Sequence, residues 1–203
     1  MKELFSVLNK GILAGIFIGI AGMGFLANKT IGMFLFAFGL CAVISYEAKL
    51  FTGVSGFVKN KQDLLNLLPI IFGNIVGCCL VSIMAQCGSI DIINNAIDIL
   101  EKRMNNGPIL NFTLSIGCGI LMTTAVTFAK QGDTIRHWLP LLLGVPLFIL
   151  CGFPHCIADA FYYLTCPNEL LWQYKWVILM NYVCIVLGNF IGCNVSRIFL
   201  KKN

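Results

Sequence analysis

Charge is what this sequence has least of. Of its 203 residues only 11% are Asp, Glu, Lys or Arg, against 58% apolar, whereas soluble domains carry about a quarter charged residues. Mean hydropathy is +0.86. A water-soluble fold is therefore excluded. Equally absent are the constellations of enzymes and metal centres. The sequence has no HExxH, no paired carboxylates, no nucleophile beside a base, no CxxC and no Cys/His cluster at zinc spacing. No catalysis, metal or cofactor is expected. Ala-x-Ala-like cleavage signals are missing behind the first apolar run, so that run does not resemble a signal peptide. The net charge of +5 calls for no nucleic acid; it fits a rim of cations facing anionic headgroups.

What the sequence has in quantity is long apolar stretches. Six stand out, at roughly 11–28, 31–58, 65–87, 108–129, 138–165 and 171–200. Each approaches or exceeds the ~20 residues that cross ~30 Å of hydrocarbon. The expected fold is an all-α integral membrane protein of six spans, one membrane domain over residues 1–203. Lys/Arg placement sets Lys2, Lys10, Lys59, Lys61, Lys130, Arg136, Arg197, Lys201 and Lys202 on one side and only Lys29, Lys102, Arg103 and Lys175 on the other. This predicts cytoplasmic termini. Residues 1–10 read as a short inner-surface segment, and residues 88–104 as an amphipathic helix on the outer interface. The ten cysteines read as small apolar packing residues.

Two spans are interrupted by residues that hydrocarbon does not tolerate. The second holds Glu47, Lys49, Thr52, Gly53, Ser55 and Gly56; the fifth holds Gly152, Pro154, His155 and Asp159. A backbone break at that depth must be buried in protein or line a cavity. An ionisable group there marks a functional site. His155 is the leading candidate, because an imidazole titrates near working pH. A hydrogen-bonded structural histidine is the alternative. Asp159, one helical turn on, either favours imidazolium or caps its own helix. Glu47 and Lys49 read as a pair, or Lys49 as a cationic lure at a pore mouth.

The chain also repeats itself. Gly73-Asn74-x-x-Gly77-Cys78 returns 115 positions later as Gly188-Asn189-x-x-Gly192-Cys193, and Ala14-Gly15-Ile16 returns 104 positions later as Cys118-Gly119-Ile120. These runs read as helix-packing devices, with the Asn fixing the interrupted segments. Three spans repeated once must be inverted in the membrane, which puts a solute site between the halves. The boundaries expected are 1–104, including the outer helix, and 105–203.

At these residues the chain resembles the formate/nitrite transporter family. Lys49-Leu50-Phe51-Thr52-Gly53 is similar to the family's Glu-Leu-Phe-Thr-Gly loop, and Gly152-Phe153-Pro154-His155 to its Gly-Phe-Glu-His; both Gly-Asn-x-x-Gly runs fit as well. The resemblance implies an aquaporin-like fold with broken second and fifth helices, a homopentamer with one pore per protomer, an inner (plasma) membrane location, and conduction of small monovalent anions such as formate, nitrite, hydrosulfide or short carboxylates, with a proton. It implies His155 as the pore histidine, Thr52 opposite it, and Phe36, Leu40, Phe51 and Phe148 as apolar constrictions. The chain departs from the family pattern at Lys49, where an acid is usual, at Pro154, where Glu is usual, and at Gly119 and Asp159, where Asn is common. A channel for a neutral solute such as water, ammonia or urea is the alternative reading.

Overall fold

The computed structural model describes residues 2–199, without the side chains of Lys2 and Glu3. The rim cations Lys2, Lys201 and Lys202 fall outside what it describes. No strand occurs among the described residues. In chain order the helices are α1 (Lys2–Ala27), α2 (Lys29–Leu35), α3 (Ala37–Ser45), α4 (Phe51–Val54), α5 (Lys61–Gln86), α6 (Ile90–Ala129), α7 (Ile135–Leu150), α8 (Cys156–Thr165), α9 (Asn168–Gln173) and α10 (Lys175–Phe199). Four of them, α1, α5, α6 and α10, are long and apolar enough to cross a membrane; α2 with α3, and α7, are shorter apolar helices.

One boundary differs from those expected. Residues 2–10 do not form a separate surface segment but are the first turns of α1. The outer helix and the fourth span, the two parts of α6, are separated as expected, by a non-helical residue at Gly107, φ 72° and ψ 171°, just before Pro108. Proline denies the helix one N–H, and only glycine adopts that φ freely, so the sequence bends here.

Small residues hold two helix pairs together. A Cβ on Gly15 of α1 would strike the Asn74 carbonyl of α5, and one on Gly77 would strike the Ile12 carbonyl. The other pair behaves alike: Gly119 of α6 meets the Asn189 carbonyl of α10, and Gly192 meets the Ile116 carbonyl. Gly73 and Gly188 lie as close to the backbone at Leu8 and Phe112. Without a hydrophobic force between helices in lipid, this backbone contact supplies the packing.

The segments between α3 and α4, and between α7 and α8, are built on one plan. Each upstream helix ends in a Schellman turn. Ala48 N–H donates to the Val43 carbonyl at 2.9 Å, and Phe153 N–H to the Phe148 carbonyl at 3.0 Å. The left-handed residue is Glu47 (φ 49°) in one and Gly152 (φ 69°) in the other. A buried Asn then ties each segment down. Asn74 accepts from Phe51 N–H at 2.9 Å and donates to the carbonyls of Lys49 and Gly11, both at 2.8 Å. Asn189 accepts from Cys156 N–H at 2.8 Å and donates to the carbonyls of Pro154 and Ser115, both at 2.9 Å. One amide thus uses both faces to satisfy the backbone where helical bonding has lapsed. Thiols cross over as well: Cys78 Sγ lies 3.5 Å from the Ile157 carbonyl, and Cys193 Sγ 3.3 Å from the Thr52 carbonyl.

Candidate functional site

The two interrupted segments bring Thr52 and His155 into contact. Thr52 sits in the first turn of α4, and His155 is the N-cap of α8. Thr52 Oγ1 and His155 Nε2 are 2.9 Å apart, and both side chains are buried. The ring's other nitrogen fixes its state. His155 Nδ1 accepts from Ala158 N–H at 3.2 Å, so Nδ1 carries no proton and the neutral ring bears its hydrogen on Nε2. Nε2–H then donates to Thr52, whose own hydroxyl hydrogen is left for something else.

Aromatic and aliphatic side chains close around this pair. Phe148 lies 5.7 Å from the imidazole, centroid to centroid, and meets Phe36 edge to face at 6.0 Å. Leu40 and Phe51 are buried in the same apolar core. The structure therefore sets Phe148 beside His155 and Phe36 against Phe148, while of the four only Phe148 lines a cavity described next.

Cavities lie toward both ends of the bundle. Toward the end where α1 finishes, one of about 100 Å³ is walled by Phe25, Lys102, Arg103, Phe148, His155 and Asp159, among others. Toward the end where α1 starts, one of about 440 Å³ is walled by Val43, Glu47, Lys49, Leu50, Val126 and Lys130, among others. Lys49 also lines a neighbouring cavity of about 400 Å³. His155 is a wall of the first space, and Leu50 and Gly53, on either side of Phe51-Thr52 in the chain, are walls of the second.

Two electrostatic expectations are corrected. Glu47 does not pair with Lys49. Its left-handed backbone turns the carboxylate toward Lys10, at 3.7 Å, and among the described residues Lys49 has no ion pair. Asp159 neither leaves a bare charge beside His155 nor caps its helix. Its carboxylate is held by Arg103, with Nε donating at 3.1 Å and Nη2 at 3.4 Å. Arg103 is 7% exposed, not part of a solvated outer rim. The bend at Gly107 lays the preceding helix across the end of the bundle and turns this residue inward. The signal for it was Asp159 itself, since a buried carboxylate at membrane depth needs a cation.

Gly73, Asn74, Gly77, Gly188, Asn189 and Gly192 are the packing and anchoring residues described above, away from either cavity wall. No group of three or more His, Cys, Asp or Glu suited to a metal occurs among the described residues.

Comparison with known proteins places this geometry. The formate/nitrite transporter family model matches residues 2–200. A formate-nitrite transporter of Plasmodium knowlesi is 29% identical over 92% of this chain and 72% of its own length. The formate channel FocA of Escherichia coli K12 is 28% identical over 74% of this chain and 62% of its own, so the chain spans about two thirds of the length of these relatives. Among solved structures, a pentameric formate channel with formate bound superposes with a TM-score of 0.84 at 23% identity, covering 98% of this chain and 96% of the other. Match and superposition both run nearly end to end through the helices that carry Thr52 and His155, and this chain belongs to the formate/nitrite transporter family.

Proposed function

We propose that the chain conducts small monovalent anions, formate first, with nitrite, hydrosulfide and short carboxylates as further substrates, in step with a proton. The working unit is a homopentamer of six-span protomers with an inverted repeat (1–104 and 105–203), each with its own pore, in the inner (plasma) membrane with both termini cytoplasmic. The observation that carries this reading is the Thr52–His155 contact of 2.9 Å, set among buried aromatics, with His155 in the wall of one cavity and Gly53, next to Thr52, in the wall of another.

The chemistry follows from desolvation. An isolated anion entering an apolar constriction loses hydration worth nominally tens of kcal/mol. Lys49 and Lys130 on one side, and Lys102 on the other, gather anions at the mouths. The Thr52 hydroxyl hydrogen, left over once Nε2–H donates to Thr52, is the donor that meets the anion. For a proton to follow, Nδ1 releases Ala158 N–H and takes a proton; Nε2 then gives one up through Thr52. The neutral acid passes Phe148 and Phe36, or Phe51 and Leu40, at far lower cost.

The test is His155→Phe in proteoliposomes. Formate uptake is expected to fall by at least about tenfold, the loss of one charge-assisted contact, and to lose its dependence on pH between 5 and 8. Unchanged flux and pH profile would remove His155 from the mechanism. One observation favours a second reading: by capping α8 through Nδ1, the ring already has a structural use. In that case the pore carries a neutral solute, and neither current nor vesicle acidification accompanies transport.

A further inference from the structure

We propose that Arg103 discriminates among the anions that reach the pore, favouring planar oxyanions that accept two parallel hydrogen bonds; this rests on the anion-conducting reading above. The guanidinium is fixed on two sides. Nε and Nη2 donate to Asp159 at 3.1 and 3.4 Å, and Nη1 donates to the Gly152 carbonyl at 3.0 Å. A guanidinium carries five N–H groups. Three have these partners; one on each terminal nitrogen has none among the described residues. With the Gly152 carbonyl on the Nη1 hydrogen nearer Cδ, those two are the end-on pair that a carboxylate or nitrite bridges with its two oxygens. Arg103 lines the same cavity as His155, so an anion bound there stands in front of the Thr52–His155 pair.

Size narrows the choice further. A cavity needs only ~10–15 Å³ to hold a water, so one of about 100 Å³ has room for an anion of three or four heavy atoms beside the guanidinium. Formate and nitrite fit. Hydrosulfide fits too, but it offers a single acceptor centre, gains from the charge, and makes no use of the fork.

A purely structural role explains the pair poorly. Buried ion pairs are seldom net stabilisers. The helix that carries Arg103 is held without it, by Lys29 on Asp98 at 3.1 Å, by Asn95 on the Leu26 carbonyl at 2.9 Å, and by Asn111 on the Arg103 carbonyl at 2.7 Å. Asp159 and Gly152 instead orient the guanidinium, which is what bidentate recognition requires and what a lysine does not supply.

The test uses the full chain in proteoliposomes and reads half-saturation concentrations for formate, nitrite and hydrosulfide. Arg103→Lys keeps the charge and loses the fork. Half-saturation for formate and nitrite is expected to rise about tenfold and that for hydrosulfide by less than about twofold. The double variant Arg103→Met/Asp159→Asn leaves no lone buried charge. It is expected to keep the wild-type oligomer, to raise half-saturation for formate and nitrite by at least as much, and to raise that for hydrosulfide, which loses only the charge, by less; the ratio still moves, which preserves the test if Arg103→Lys fails to assemble. Wild-type transport with an unmoved oxyanion-to-hydrosulfide ratio in these variants overturns this inference alone. Wild-type protein that carries none of the three anions removes the conduction reading and this inference with it.

Discussion

Asn189→Ala is the substitution with the most legible cost. The wild-type amide is fully buried and makes three hydrogen bonds, to Cys156 N–H and to the carbonyls of Pro154 and Ser115. Ser115 lies inside α6, where its carbonyl keeps a helical partner. Cys156 N–H opens α8, and the Pro154 carbonyl lies in the non-helical segment; neither has a helical partner to fall back on. Each orphaned buried group costs about 1–3 kcal/mol, so the variant is expected to lose about 2–6 kcal/mol. At about 2–4 °C per kcal/mol for a chain of this size, the unfolding transition falls by at least about 4 °C. The protein supplies its own reporter. Cys78, Cys118, Cys156, Cys166 and Cys193 are buried free thiols and react with a fluorescent maleimide only as the bundle opens. A thermal ramp in detergent with that dye compares variant and wild type directly. Since Asn189 anchors the residue before His155, formate flux falls along with stability. A transition within about 1 °C of wild type, less than the smallest orphaning cost allows, refutes the account of the interrupted segment given above.

Two further outcomes follow from the packing. Gly15→Ala and Gly192→Ala drive a methyl into the Asn74 and Ile116 carbonyls, an overpacking worth about 1–3 kcal/mol or more; the same dye ramp is expected to show both falling, while Gly24→Ala, with no neighbour within 4 Å in the protomer, stays near wild type. Glu47→Gly relieves a left-handed residue that costs roughly 1–2 kcal/mol and gives up only an exposed ion pair of 3.7 Å, worth about 0–1 kcal/mol; the transition is expected to rise by a few degrees, and a fall means the Lys10 contact matters more than its exposure implies.

Much of the helical pattern was legible in the chain because membrane sequences are simple: long apolar runs make helices, and polar residues inside them mark breaks. The repeated Gly-Asn-x-x-Gly motif predicts a packing and anchoring device, and Asn74 and Asn189 hydrogen-bond the two segments. What stayed hidden was pairing over distance. Arg103 sits next to Lys102 in a stretch with every mark of a solvated interfacial helix; only the backbone at Gly107 turns it under. Glu47 and Lys49 are near neighbours in sequence, yet a positive φ sends Glu47 to Lys10 instead. The sense of a turn decides both cases, and a turn has no hydrophobic period to reveal it. The joining of residues 2–10 to α1 was missed for a related reason: Lys10 marks a charge, not an end.

The crossed thiols have a consequence for how the chain completes itself. Cys78 of α5 reaches the stretch that follows His155, and Cys193 of α10 reaches the stretch that holds Thr52, so each interrupted segment is touched by a thiol from a helix distant in sequence. In a polypeptide emerging from the ribosome the earlier segment has its Asn74 anchor as soon as α5 is made, but the thiol on the Thr52 carbonyl comes only with α10, the last helix.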